Sequence, residues 1–463
     1  MREFLAHLES IFPKSSLLLE DEVPDRYRGD WSNEPMSRQK AVVRPTDATQ
    51  DAQAVTACVR FKVPFVAQGG MTGLCGGANP EPDWVAISLE RMSGIEEIDP
   101  INSTMTVRAG TPLEVVQNAA DEAGFLFPLD LGARGSCSIG GNIATNAGGN
   151  RVIRYGMTRD LVLGLEVVLP DGTVMESLNK LLKNNAGYDL KQIFIGSEGT
   201  LGVVTRAVLR IFPKPRCTMV ALCGLASFAD VEALLRSARA KLGSSLSAFE
   251  VMWQDFWSVA TKASKSRSPI SAGHAHYVLV EIHGADEALD RERFQAWLEE
   301  AMEAGLLADA AVAQTIGQSL EFWSLRDSGA EFAAAIGPHL SYDIGITVEL
   351  MDEFVVKCRS RLSERIDGCK AVFYGHIGDG NLHLDAWVPG RPIDKVLKAA
   401  TDSVVYSLVE ETSGTISAEH GIGTSKAPWL NRSRTGAEIA LMKALKRTLD
   451  PQGLLNPGKV VSI

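Results

Sequence analysis

The sequence lacks several things that would fix its class early. It has no CxxC pair, and its seven cysteines (58, 75, 137, 217, 223, 358 and 369) are scattered along 463 residues. An odd number at irregular spacing argues against a disulfide framework and against a Cys-type zinc site. A reducing compartment is the simpler reading, so a cytoplasmic location is expected. No run reaches the ~18 apolar residues of a membrane span, which leaves only peripheral membrane association open. Basic residues are in the minority, 46 Lys and Arg against 57 Asp and Glu, for a net charge of −11. Nucleic acid and anionic membrane surfaces are therefore unlikely main partners. A small anionic substrate stays compatible, because a local Arg or metal overrides the global sign. Residues 1–23 carry acids early and no long apolar core, so they read as a short amphipathic helix rather than a signal peptide. There is no internal repeat and no low-complexity segment.

What is present is a globular composition, 45% hydrophobic and 22% charged, on a chain too long for one core. The first 215 residues are rich in Gly and small residues. Ala41–Val43, Val63–Ala67, Val85–Leu89, Thr104–Arg108, Leu161–Leu169 and Gly202–Ile211 read as strands. Thr46-Asp47 offers a helix cap before Ala48, and Thr111-Pro112 opens a helix over Pro112–Ala123. Strand, helix and strand over 41–67 imply a parallel pair. Phe212-Pro213-Lys214-Pro215 breaks the pattern. Beyond it, strands at Met219–Leu225, Tyr277–Ile282, Gly345–Leu350 and Ala371–Tyr374 alternate with helices at Val231–Ala240, Arg291–Ala304, Ser319–Ala335, Glu353–Arg365 and Lys395–Glu411. This is an α+β pattern, with a layer of helices on one sheet. A last helix, Ala437–Leu449, precedes the Gly453–Lys459 tail. The expected domains are 1–215, 216–425 and a helical segment over 426–463.

Three runs are nearly free of bulky side chains: Gln68–Gly77, Gly135–Gly149 and Ile195–Gly202. The first lacks the GK[ST] of a P-loop, and Asn79-Pro80 forbids the helix that a Rossmann fingerprint requires. Alone it is compatible with plain turns. Three such runs together suggest close backbone approach to a large flat ligand.

A second constellation is Gly375-His376-Ile377-Gly378-Asp379-Gly380-Asn381-Leu382-His383. Asp-Gly between apolar strands signals a two-residue hairpin turn, which would set His376 directly opposite His383. A longer loop would alter that register. The chain has only eight histidines. Two at facing positions, beside four glycines and a third His, favour a shared metal over ordinary strand residues. Downstream, Glu419 and His420 are adjacent in an extended segment and should point to opposite sides. Glu419 would complete a metal site that keeps open positions, leaving His420 to act as a base.

The QGGMTGL loop, the IGGNIATNAGG run, Arg154-Tyr155-Gly156, GSEGTLG and Asn456-Pro457-Gly458-Lys459 resemble the FAD-binding domain of the vanillyl-alcohol oxidase superfamily. The resemblance implies a two-subdomain FAD-binding domain, an α+β substrate (cap) domain and a C-terminal segment returning to the FAD site. It also implies that Gln68, Gly69, Gly70, Met71, Thr72, Gly73 and Leu74 wrap the pyrophosphate. Ser138, Gly141, Asn142, Thr145, Ala147 and Gly148 would line the isoalloxazine. Gly199, Val203 and Val204 would bind the adenosine side, and Tyr155 and Asn456 would add contacts. The first two loops hold no His, and Cys75 and Cys137 are poor substitutes, so the FAD is expected to be non-covalent.

The His/Glu constellation resembles the C-terminal domain of the FAD-linked D-2-hydroxy acid dehydrogenases, and together the two resemblances cover nearly the whole chain. They imply zinc or manganese on His376, His383 and Glu419, with His420 as catalytic base and substrate contact. Arg326 matches an Arg that binds the substrate carboxylate. The hydroxyglutarate branch has Thr, Lys and Asn where this chain has Ala330, Ser341 and Asp385. Asp385 would thus face the variable part of the substrate, leaving D-lactate, D-2-hydroxyglutarate or a similar acid open. Expected partners are the small 2-hydroxy acid, an electron acceptor (electron-transfer flavoprotein, quinone or cytochrome) and, compatibly, a second copy in a homodimer. Rival readings are an oxidase that uses oxygen, a colourless metal-dependent hydrolase, and a flavin-binding scaffold without turnover.

Overall fold

Residues 1–32, 34–263 and 268–463 are described by the structure, a computed structural model. They form two compact units. One comprises Met1–Gly149, Gly156–Lys214 and Glu419–Ile463; the other comprises Asn150–Tyr155 and Pro215–Ala418. The chain leaves the first unit for the second time between Lys214 and Pro215, directly after the short strand Phe212–Pro213.

The first unit holds two main sheets and a two-stranded pair, Phe125–Leu126 with Phe212–Pro213. The smaller main sheet has the order Leu17–Leu19, Ala41–Val43, Val85–Ser88, Phe65–Gln68. Its last three strands are parallel, and the first is antiparallel to its neighbour. Ala41–Val43 and Phe65–Gln68 are thus parallel as expected, but Val85–Ser88 lies between them. The intervening helix Ala48–Phe61 starts where the Asp47 carboxylate accepts the Gln50 N–H at 2.9 Å, and it stops at Lys62 in a left-handed conformation. The larger sheet is antiparallel, in the order Ile95–Asp99, Thr104–Arg108, Val203–Arg210, Val162–Val168, Val174–Ser177. Fully buried Phe65, Ile87, Leu113, Ile143, Leu165 and Leu209 belong to one core cluster. Side chains of this size contribute about 1.5–3 kcal/mol each when buried.

The second unit is built on a seven-stranded antiparallel sheet. Its order is Asp309–Val312, Cys217–Leu225, His276–Gly284, Leu246–Trp253, Lys370–Gly375, Asn381–Trp387, Leu340–Gly345. Helices cover both faces, not one. Met252 and Tyr277 pack with Phe256, Phe322 and Phe332 on one side. On the other, Trp253 stacks on Phe228 of helix Phe228–Leu242. Burial on both faces explains why Leu246–Trp253 and His276–Gly284 are buried at every position and show no two-residue alternation.

Two expected elements are corrected. The strand ends at Gly345, and a helix begins at Val348 after Thr347, so Val348–Leu350 are helical. The β-branched Val348 yields to an acidic first turn at Glu349. The helix expected over 319–335 is two, Ile316–Arg326 and Phe332–Ile336, with the turn Ser328–Glu331 between them. Among the described residues, no helix is long and apolar enough to cross a membrane.

Candidate functional site

The second unit brings His376 and His383 together, with ring centroids 5.3 Å apart. The register is not the expected one. Tyr374 pairs with His383, and the Asn381 N–H returns to the His376 carbonyl at 3.2 Å. Four residues, Ile377–Gly380, therefore form the loop, and the two-residue Asp-Gly turn is not made. The pairing has slipped by two residues. Side chains alternate with period two, so an even slip keeps both imidazoles on the same face, as diagonal neighbours.

Glu250 lies behind His376. Its Oε1 is 2.9 Å from His376 Nδ1, and its Oε2 accepts Arg326 Nε at 2.8 Å. Burial pushes the Glu250 carboxyl up, but the charges of His376 and Arg326 outweigh it and hold it below the usual range. A carboxylate on Nδ1 fixes that nitrogen as the protonated one and turns the Nε2 lone pair outward. Arg326, expected at the substrate carboxylate, is 5% exposed. Its Nη2 stands 3.3 Å from His376 Nε2, and its guanidinium lies over the Tyr374 ring. Asp343 faces His383 in the strand register. It accepts hydrogen bonds from Asn381 Nδ2 at 2.9 Å, Ser417 Oγ at 3.2 Å and the Ala418 N–H at 3.1 Å. Asp385 is buried, and burial raises its carboxyl against hydrogen bonds from Ser341 and Tyr374.

Tyr155 also belongs to this unit. Its hydroxyl is 3.0 Å from His283 Nδ1, and His283 Nε2 is 3.1 Å from Glu281. Glu281 further accepts from Arg151 Nε at 2.9 Å, Ser247 Oγ at 3.0 Å and Trp323 Nε1 at 3.0 Å. Burial pushes the Glu281 carboxyl up, but the Arg151 charge and the His283 hydrogen bond outweigh it and leave it well below its ordinary value.

The first unit gathers the glycine-rich runs. Gln68 ends a strand, and Gly69–Leu74 follow it as irregular loop. A Cβ at Gly70 would clash with the Ser136 carbonyl oxygen, so this loop packs directly on the run that contains Ser138. Gly141, Asn142 and Thr145 lie in a short helix, Ile139–Thr145, capped by Ser138. Beyond it, a Cβ on Gly148 would meet Glu419 Oε1 at 2.5 Å. Val203 and Val204 are buried at the start of the strand Val203–Arg210. Asn456 Nδ2 donates to the carbonyls of Gly77 and Glu198 at 3.0 and 2.9 Å. Among the described residues, Gln68 Oε1, Asn142 Oδ1 and Asn456 Oδ1 are buried without a hydrogen-bond partner. Three orphaned acceptors on the expected cofactor segments fit a ligand with hydrogen-bond donors, as the flavin is.

Glu419 and His420 open the last segment of this unit. The turn after them is held by residues the sequence reading missed. Glu198 Oε1 and Oε2 accept the N–H groups of Ile422 and Gly423 at 2.6 and 2.8 Å. Burial raises the Glu198 carboxyl against those two bonds. Cys75 Sγ donates to the Gly421 carbonyl at 3.2 Å. A lone Glu in a glycine loop gives no signal of its own. Glu250 gives none either, since its partner His376 is 126 positions away.

Residues 39–177 match the family model of the FAD binding domain, and residues 214–460 match that of the FAD linked oxidases, C-terminal domain. The chain is 39% identical over 457 residues to D-2-hydroxyglutarate dehydrogenase of Xanthomonas citri pv. viticola, covering 98% of this chain and 96% of that one. It is 38% identical over 459 residues to the mitochondrial D-2-hydroxyglutarate dehydrogenase of Rattus norvegicus, covering 99% and 85%. Among solved structures, p-cresol methylhydroxylase with substrate bound is similar with a TM-score of 0.79 at 15% identity, covering 100% and 97%, which is a likeness of fold.

Proposed function

This chain belongs to the FAD-linked D-2-hydroxy acid dehydrogenase family, and from that premise we propose that it oxidises a D-2-hydroxy acid to the 2-oxo acid with help from a divalent metal. The observation that carries the metal-assisted part is the His376–His383 pair on one sheet face, with Glu250 fixing the tautomer of the first. Glu419 is the third ligand. It is one peptide bond, about 3.8 Å between Cα atoms, from Ala418, whose N–H is bound by Asp343 opposite His383. Two imidazoles and one carboxylate suit zinc or manganese and leave coordination positions open. The ion, when bound, supplies Lewis acidity that lowers the pKa of the substrate hydroxyl.

His420 takes the hydroxyl proton, and Arg326 orients the substrate carboxylate. FAD, when bound non-covalently, would supply the electron sink, with flavin N5 as the acceptor for the Cα hydride. The Gln68–Leu74, Ser138–Gly148 and Gly199–Val204 segments hold it. D-2-hydroxyglutarate is the first substrate to try, because the relatives above carry that name. D-lactate is second, because Ser341 and Asp385 remove a cation and add a carboxyl at the variable end. The reoxidant is an electron-transfer flavoprotein, quinone or cytochrome rather than oxygen, and the enzyme works in the cytoplasm.

The test is anaerobic bleaching of the purified yellow protein by D-2-hydroxyglutarate and D-lactate. Bleaching by a D acid and not its L form is expected. A protein that stays colourless after FAD is supplied would sink the reading. His420→Ala should bind FAD and fail to bleach.

A further inference from the structure

Glu198 touches two segments with different tasks. It lies in the loop after the helix Lys191–Phe194, in a left-handed conformation with φ 52°. Its main chain is tied to the flavin side. The Glu198 N–H donates to the Ala144 carbonyl at 2.7 Å, inside the helix Ile139–Thr145, and its carbonyl accepts Asn456 Nδ2. Its side chain is tied to the catalytic side. Each carboxylate oxygen takes one N–H, from Ile422 and Gly423, directly after the Glu419-His420 pair. Two consecutive amides aimed at one anion form a small nest. Residue 421 must be glycine for this, since a Cβ there would lie 2.9 Å from Glu198 Cδ at φ +85°.

The rest of the turn is held as well. The Cys75 carbonyl accepts the N–H groups of Thr424 and Ser425 at 3.0 and 3.2 Å, and the Val460 N–H donates to the Gly423 carbonyl at 3.0 Å. Those bonds act three to five residues after His420. The Glu198 bonds act nearest to it, together with Cys75 Sγ on the Gly421 carbonyl.

We propose that Glu198 is a positioning residue, setting His420 at a fixed distance from the flavin by linking the helix Ile139–Thr145 to the turn at Gly421–Gly423. The proposal rests on the reading of His420 as the base. Glu198→Gln is the discriminating variant, because it keeps the size of the side chain but turns one acceptor into a donor facing an N–H. Glu198→Asp keeps both acceptors and shortens the reach.

Two readouts decide it. The first is amide hydrogen exchange of the 419–426 peptide, followed by mass spectrometry on the whole protein. It should be at least about tenfold faster in Glu198→Gln, with the 139–145 peptide unchanged. The second is the anaerobic flavin reduction rate in FAD-loaded protein. It should fall about 100-fold in Glu198→Gln, the scale of an ångström's misplacement, and recover in part in Glu198→Asp. Exchange at the parental rate overturns the proposal, and so does parental reduction in loaded Glu198→Gln. Loss of FAD with unchanged 419–426 exchange also overturns it, since Glu198 would then only shape the flavin loop. If the parent protein is bleached by no D-2-hydroxy acid, the functional reading fails, and the exchange readout still decides the anchor.

Discussion

Tyr374 stands directly across from His383, and His376 reaches the same face one diagonal step away. His376 is therefore oriented less by its hairpin partner than by Glu250 on the neighbouring strand, 2.9 Å from Nδ1. Glu250→Gln keeps the shape and removes the charge. Partners of this kind are worth about 10–100-fold in metal affinity. The expected outcome is a loss of that size in zinc or manganese affinity, measured by competition with a chromophoric chelator, with the flavin content unchanged. An unaltered affinity would mean that Glu250 serves only the ion pair with Arg326.

Arg326 is tied to the same carboxylate, 2.8 Å from Nε. Removing one member of a buried ion pair strands the other, at about 3–5 kcal/mol. Arg326→Met should therefore lower the urea midpoint of the second unit, and Glu250→Gln added to it should restore part of the loss. A carboxylate-binding role predicts a second effect, a rise in KM for the hydroxy acid. Arg326→Lys separates the two, because it keeps the charge and gives up the fork.

Part of this architecture was legible in the sequence and part was not, for identifiable reasons. The helix Ala48–Phe61 and its Asp47 cap, the strand Thr104–Arg108 and the helix Lys395–Glu411 follow from local caps and periodicity. The His376–His383 pair survived a wrong register because the slip was even. Leu246–Trp253 was invisible because both its faces are buried and no turn residue separates it from the helix Gln254–Ala263. Glu198 and Glu250 were invisible because their meaning lies in partners far away in sequence. Tertiary contacts are where local pattern stops being informative.

Asp51 gives a prediction about pH. It is fully buried on the helix Ala48–Phe61, and neither carboxylate oxygen has a hydrogen-bond partner among the described residues. Burial, with the nearby charge of Glu166, pushes its carboxyl from 3.8 to about 8. Between those values the folded chain holds a proton that the unfolded chain has released. Stability from this group is therefore present at low pH and is lost as pH rises through that window. Asp51→Asn cannot ionise. Its melting temperature should exceed that of the parent near pH 8 and approach it near pH 4, measured by calorimetry at low ionic strength. A parent-to-variant difference independent of pH would show that Asp51 is not protonated in the fold.

The last prediction separates two uses of Tyr155, which the family resemblance places at the flavin and the structure places on His283. Tyr155→Phe removes one hydrogen bond, worth about 0.5–1.5 kcal/mol. Glu281→Leu does more, because Arg151, Ser247, His283 and Trp323 all lose their acceptor together. A buried network broken at its central carboxylate costs about 3–5 kcal/mol. If the hydroxyl is committed to His283, Tyr155→Phe should leave the FAD dissociation constant unchanged while Glu281→Leu lowers the stability of the second unit several times more. If Tyr155→Phe instead weakens FAD binding tenfold, as fluorescence titration of the apoprotein would show, the hydroxyl is shared with the cofactor. The His283–Glu281 chain would then orient it for that contact.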